Sequence, residues 1–524
     1  MKIKKTLAIA GALCMVLSGC KGGGTAGSKV GNLDSYPIET DAELTYWMGL
    51  NTNVSSTTSN MGNTEYAKKL YEKTGVKVKY IHPALGQEAE SFSLMVASND
   101  LVDIVEYAWF SALGGASGSI ADKIIYDLTP MMKKYAPNLS KYLKENPDID
   151  KLVKTDDGQY YAFPNLRGGD KLTLTAGPVL RQDWLNDLGL KAPETLDEWE
   201  NVLKKSRDEK KAAAPLSINK VNKSLLFSMV NAAYDFYVDG DTMKFGPAQP
   251  EFKEALITLN RWFAEGLLDN NYAMTDTNLL DANMLNGKSG ATIASGGGDM
   301  GKWLSTKQDT PSYSLVGVKY PEKAAGEKNR FIPVGHKYAS WNCAAVTTAC
   351  KYPELACKYL DFGYTDEGHM LNNFGIEGVS YTMQNGEPVY TDEIMKNPEG
   401  LTMGQAMGKY MRSSYGGPFV QDERYLEQYY TRTEQKDALT AWHSNTEEAK
   451  KTVYPAMSHT TDENAELSTI VSELQKCRDE NTAAFISGIR PISEYDDFVK
   501  ELEKLNLARA LEIENGALKR FNNK

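Results

Sequence analysis

Acids, bases and nucleophiles are scattered along this chain rather than gathered. Its five histidines, His82, His336, His369, His443 and His459, stand far apart, and neither a GxSxG elbow nor an HExxH metal motif occurs. Adjacent carboxylates such as Asp156-Asp157 and Asp496-Asp497 lie in polar stretches, where solvated surface is the expected role. A glycoside hydrolase sets two carboxylates across one bond, a geometry that spacing neither supplies nor excludes, so hydrolysis of glycans stays as a minor alternative. Gly287-Lys288-Ser289 has the end of a P-loop, but Ala282 stands where its first glycine is required. Gly296 to Gly301 satisfies GxGxxG after the apparent strand Ala291 to Ser295, without an evident second strand beyond a crossover helix. Those glycines are read as letting the backbone approach a ligand, with Asp299 and Trp303 facing a cleft.

The densest set of side chains suited to holding a ligand is Glu106, Tyr107, Trp109 and Phe110, and the elements around it explain why. Phe92, Leu94, Met95 and Val96 mark a helical face, Asn99 and Asp100 break it, and Leu101 to Val105 is an apolar run too short for a helix. A buried parallel strand fits. Ligands bind at the carboxyl ends of such strands, which puts Tyr107 and Trp109 at the mouth of a crevice; Phe110 alone is read as core. Upstream, Glu43 to Met48 reads as a strand, Thr64 to Thr74 as a helix stopped by Gly75, and Val76 to Ile81 as a second strand. The resulting βαβαβ alternation implies right-handed crossovers and a parallel sheet. Trp47 and Asn51, at and just beyond the end of the first strand, then share an edge with Tyr107 and Trp109.

Farther along, Pro130, Pro137 and Pro147 cut residues 127–152 into short helical pieces, and Asp157-Gly158 turns the chain into a strand at 159–163. Thr195 and Glu198 form a capping box. Leu467, Ile470, Val471, Leu474 and Cys477 have helical spacing, and Phe498, Leu502 and Leu505 mark the next helix; packing on the body of the protein is their expected role. Cys343, Cys350 and Cys357 recur every seven residues, but Pro353 breaks any continuous helix through them, so they are read as separate buried thiols and no metal site or cofactor is assigned.

Lys2, Lys4 and Lys5 precede the apolar run Leu7 to Leu17, which is too short to span a bilayer and reads as a signal peptide. Its end, Leu17-Ser18-Gly19-Cys20, resembles the lipobox of bacterial lipoproteins, in which the cysteine is acylated and becomes the first mature residue. Two acyl chains on Cys20 would hold the protein on a membrane stably. The Gly- and Ser-rich stretch after it reads as a flexible tether of about 20 residues with a reach of roughly 25 Å. Losing the three leader lysines takes the formal charge of −11 to −14, a balance that argues against nucleic-acid partners and against adsorption to anionic lipid. With so long a chain, two large lobes or several domains are needed to bury it.

The segments LMVASNDLVDIVE, DGQYYAFPN, RQDWLNDLGLKAPETLDEW, FKEALITLNRWFAEGLLD, YPELACKYLDFGYTDEG and FISGIRPISEYDDFVKELEKLNL, in this order after a lipobox, resemble extracellular solute-binding proteins of family 1. The nearer likeness is to the carbohydrate-type lipoproteins that serve ABC importers in Gram-positive bacteria. Val102 departs from the pattern, which usually has proline before the aspartate. The resemblance implies an α/β, two-lobed periplasmic-binding-protein type II fold, each lobe a mostly parallel sheet flanked by helices, with a helical C-terminal region. It divides the chain into a leader at 1–19, a tether at 20–41, lobe 1 at 42–165 and 341–400, and lobe 2 at 166–340 and 401–524. It implies a monomeric, non-enzymatic binder anchored through Cys20 on the extracellular face of the cell membrane, which captures a carbohydrate, an oligosaccharide by expectation, and hands it to ABC permease subunits. Binding of a peptide or another polar solute is the alternative. Beside Trp47, Asn51, Tyr107 and Trp109, the implied site holds Arg167, Trp341 and Asn342 near the crossings, Asp299 and Trp303 opposite, and Arg181 at the end of its strand. Aromatic faces would stack on sugar rings while Arg, Asn and Asp bond hydroxyls.

Overall fold

The computed structural model describes residues 28–112 and 114–524; the leader, Cys20 and the first part of the tether lie outside the described residues. Strands β1 (Glu43–Met48), β2 (Lys77–Ile81) and β3 (Ile104–Tyr107) pair in parallel in the order β2-β1-β3, as the alternation requires. Helices Glu65–Thr74 and Glu88–Ser98 make the crossovers. The Thr64 side chain caps the first of them at Ala67 N–H, and Gly75 ends it at φ 75°, where an added Cβ would lie 2.2 Å from the Ile38 carbonyl oxygen. β3 begins three residues after the expected Leu101. The Asp103 carboxylate accepts hydrogen bonds from the backbone N–H and hydroxyl of Thr45, so residues 101–103 are tied to β1 by side chains before the ladder starts.

β4 (Phe163–Arg167) also lies later than the expected 159–163, with Pro164 inside it. A central strand normally rejects proline, but here the pairing with β4's neighbour shifts register between Ala339 and Ala344, and the missing N–H falls where the ladder is interrupted. The chain then crosses to a second sheet, with β5 (Ala176–Arg181) between β6 (Ala291–Ser295) and β7 (Leu315–Gly317), both antiparallel to it. The parallel pairs in this lobe, among the described residues, are isolated bridges, including Leu216 to Ala291 and to Leu268, and Thr195 to Glu322. The mostly parallel sheet expected in each lobe is therefore found in the first and not in the second. β5 carries the chain away from the first lobe, whereas β6 and β7 run back toward it. β8 (Tyr338–Val346) returns antiparallel between β3 and β4, and β9 (Val420–Gln421) adds beside β4, completing the order β9-β4-β8-β3-β1-β2.

Three apolar clusters hold these sheets. One is built from residues 38–166, 338–371 and Val420, and it fills the first lobe. The second sheet lies between the other two, because period-two alternation along β5 sends Leu180 to one and Val179 to the other. Within 341–400, residues through Leu371 pack in the first cluster, and Phe374, Tyr381, Tyr390 and Ile394 in the third. Helix Thr461–Ser487 carries a capping box from Thr460 and Glu463, ends at Gly488, and lays Leu467, Ile470 and Leu474 on the second lobe. The last helix, Leu507–Asn522, buries Ala510 and Ile513 in that lobe and then reaches the first, where Arg520 and Lys524 meet Asp156 at 2.8 and 3.1 Å. Asp156 is thus largely covered and paired, not solvated as its polar surroundings suggested. Cys343, Cys350 and Cys357 are buried and unbridged; burial pushes the Cys343 and Cys350 thiols up to about 12, which leaves them unreactive.

Candidate functional site

Strand direction decides which ends meet. β1, β3, β4 and β9 finish at one edge of the first sheet, and β8, running the other way, begins there. Trp47, Asn51, Tyr107, Trp109, Arg167, Trp341 and Asn342 all come to this edge, but their side chains serve differently. Trp47 is 5% exposed and Trp109 1%; both turn inward around Phe92, on which Tyr107 stacks with centroids 3.9 Å apart. Strand alternation ends at Tyr107, and the 3-10 turn Trp109–Ser111 that follows sends the Trp109 indole N–H to the Val105 carbonyl at 3.2 Å. Phe110, read as core, is instead 55% exposed. The expected roles of Trp109 and Phe110 are therefore exchanged. The Asn51 side chain caps the short helix Thr52–Ser55 by accepting from Asn53 N–H.

Arg167, Trp341 and Asn342 stand around the crossings. Asn342 adopts φ 57° within the β8 irregularity and donates from its amide to the Tyr415 carbonyl at 2.9 Å. Its neighbour Trp341 stands 47% exposed, with the Arg167 guanidinium 4.9 Å from its ring centroid. Arg167 also donates to the His336 carbonyl at 2.8 Å. Beneath, the Arg412 guanidinium donates to Glu106 at 2.6 Å in a buried pair that the Tyr46 hydroxyl completes, also at 2.6 Å.

The three second-lobe choices are corrected. Arg181 lies at the end of β5 remote from the first lobe, paired with Asp183 and with its backbone N–H on the Gly290 carbonyl. Because β5 opposes its neighbours, the carboxyl-end rule points the wrong way for it. Trp303 has no exposed surface, and its indole N–H donates to Asp281 at 2.6 Å. Asp299 does follow β6 at the lobe-1 side, but its carboxylate closes its own turn by accepting from the Ser295 backbone N–H at 2.8 Å and hydroxyl at 2.9 Å. The glycine run is one π-helical turn, Gly296–Gly301, packed against Tyr429 and Tyr430.

A cavity of about 230 Å³ opens between the lobes, next to a second of about 430 Å³ with which it shares Phe110, Tyr454, Met457, His459 and Asn464. The first lobe supplies Phe110, the glycine-led start of helix Gly115–Ala121, Tyr161 and Ser340; the second supplies Phe236, Gln475 and Glu514. Gly114 and Gly115 take φ 73° and 64°, and an added Cβ on Gly115 would sit 3.2 Å from Asn464 Nδ2, so the lobes touch through glycine backbone. On the buried Glu514, one carboxylate oxygen accepts from the Tyr454 hydroxyl at 2.8 Å and faces His459 Nε2 at 3.3 Å. His336 Nε2 donates to the Tyr454 carbonyl at 2.8 Å, and burial holds its imidazole below the usual histidine range, neutral at pH 7. Aromatic walls with hydroxyl, amide, imidazole and carboxylate groups form a surface for a polar ligand with apolar faces. The sequence reading missed Tyr454 to His459, an aperiodic segment whose one signal is proline flanked by polar and aromatic residues between helices.

The family model described as bacterial extracellular solute-binding protein matches residues 55–370, and the chain belongs to that family. It is 23% identical over 475 residues to the fructooligosaccharide ABC transporter substrate-binding protein FusA of Streptococcus pneumoniae, with 85% of each chain covered. Lipoprotein LipO of Bacillus subtilis is 22% identical over 445 residues, covering 81% of this chain and 82% of that one. Among solved structures, the alginate-binding protein AlgQ2 superposes with a TM-score of 0.73 at 22% identity, over 91% of this chain and 98% of its own. The two-lobed fold is that of these substrate-binding proteins.

Proposed function

We propose that the protein is a lipid-anchored, extracellular substrate-binding component of an ABC importer that captures an oligosaccharide between its lobes and performs no chemistry on it. The observation that carries this reading is the inter-lobe cavity, in which both lobes supply aromatic and hydrogen-bonding side chains, on a chain of the solute-binding family. FusA's name specifies fructooligosaccharides and AlgQ2's alginate, so sugars are the solute class these relatives favour. We read the chain as a monomer of two lobes divided near residues 166 and 338. Packing supports a first-lobe return that ends near 371 rather than 400. The bound sugar would contact Phe110 and the cavity, with Trp341 and Arg167 offering a second stacking surface at the sheet edge.

A thermal-shift screen against an oligosaccharide panel tests the reading, because a ligand that binds only the folded state raises its midpoint. Calorimetry with the best ligand should return it chemically intact; steady release of shorter products would favour a hydrolase. Anchoring rests on the lipobox resemblance at Cys20, with the relative LipO, itself a lipoprotein by name, in support. Cys20→Ser should move the protein from the membrane fraction to the medium, and unchanged membrane retention would refute the anchor.

A further inference from the structure

Around the cavity, carboxylates outnumber available cations. Glu514 is buried, and its bonding partners are the Tyr454 hydroxyl and His459 Nε2. Asp235 accepts from Gln475 at 2.9 Å and from Arg478 at 2.7 Å, and Arg478 itself does not line the space. Among the described residues no arginine lines either cavity, and the one lysine, Lys154, is committed to Asp150 at 2.5 Å and to the Tyr160 ring. Arg167, on the sheet edge, already holds the His336 carbonyl and the Trp341 face.

We infer that this cavity takes uncharged oligosaccharides and rejects those bearing uronate, sulfate or phosphate groups, an inference that rests on the saccharide reading proposed above. A carboxylate entering the space loses water, meets no free guanidinium or ammonium to replace it, and faces the Glu514 charge. Neutral hydroxyls meet Ser340, Asn464 and His459 as partners, while ring faces meet Phe110 and Phe236. At the separations of neighbouring groups, one like-charge contact of this kind corresponds to at least roughly a tenfold loss of affinity.

The test is calorimetry on the full chain with fructo-, malto-, xylo- and manno-oligosaccharides, set against oligoalginate and oligogalacturonate of matched length. Methyl-esterified oligogalacturonate serves as the charge-neutralised control. The expected result is a neutral ligand whose affinity falls at least roughly tenfold in Phe110→Ala, with each acidic ligand at least roughly tenfold weaker than the best neutral one and methyl esterification never weakening binding. An acidic ligand that binds as tightly as the best neutral one overturns this inference and leaves the saccharide reading standing. Neutral binding untouched by Phe110→Ala also overturns it, since the ligand then lies elsewhere. Absence of binding by either class removes the saccharide reading and this inference together.

Discussion

Two adjacent aromatic residues just beyond the end of a strand show how local geometry redirects side chains. Trp109 and Phe110 are neighbours, yet one is core and the other lines the cavity, because the chain winds into a 3-10 turn as soon as β3 ends. Truncating Phe110 to alanine should cost about 2 kcal/mol of binding, roughly a thirtyfold loss, with an unchanged urea midpoint. Trp303→Ala should do the reverse. Its buried ring packs the second lobe, so about 3–5 kcal/mol of stability should go, read as a lowered midpoint. The histidines add a pH dependence. Burial depresses His82, His336 and His443 below 6.5, so the unfolded chain takes up protons first as the solution is acidified. Their contribution to stability is complete above about pH 6.5 and is lost as pH falls from there through the lowered folded values. Denaturant titrations at pH 7.5 and at roughly 5.5 should show that loss, and His336→Gln should reduce it. Residue types and their gathering at one sheet edge were legible in the sequence; side-chain direction was not, since alternation says nothing once a strand has ended.

Elements were more legible than residues where local signals agree. Thr64 with Gly75, Thr195 with Glu198, and Gly488 set helix ends as their chemistry requires, because caps act within a few residues. The strand at 163–167 was displaced by four residues because Pro164 reads as a break, and only the register shift of its partner β8 tolerates it. That partner arrives some 170 residues later, beyond any local pattern. Arg181 failed for a related reason: strand direction in the second sheet depends on pairing with β6 and β7, not on β5 itself. At this scale the joint between the lobes makes a clear prediction. Gly115→Ala forces a left-handed φ on a residue with a side chain and presses it toward Asn464. The substitution should cost about 1–3 kcal/mol in chemical denaturation, whereas Gly158→Ala, with open space around it, should suffer only the backbone strain.

For the whole molecule, the family resemblance anticipated a two-lobed fold, whereas the grouping of residues within 341–400 into different apolar clusters depends on long-range packing. Ligand capture between lobes predicts compaction on binding, measurable by small-angle scattering, and Phe110→Ala should compact only at higher ligand concentration. The last helix bears on that motion. It spans roughly 24 Å, rooted in one lobe by Ala510 and Ile513 and fastened to the other through Arg520, Lys524 and Asp156. In mechanical terms it is a strut whose far joint is electrostatic, and the stiffness of such a joint is set by the surrounding electrolyte. Ionic screening shortens from about 10 Å at 0.1 M to about 3 Å at 1 M. The ligand-free protein should therefore widen in concentrated salt, and Asp156→Asn should be wide already and indifferent to it; equal radii of gyration for all four samples would mean the strut bears no load. If the radii change in this way, the resting aperture of such a receptor follows the salt concentration around it, with no second ligand involved.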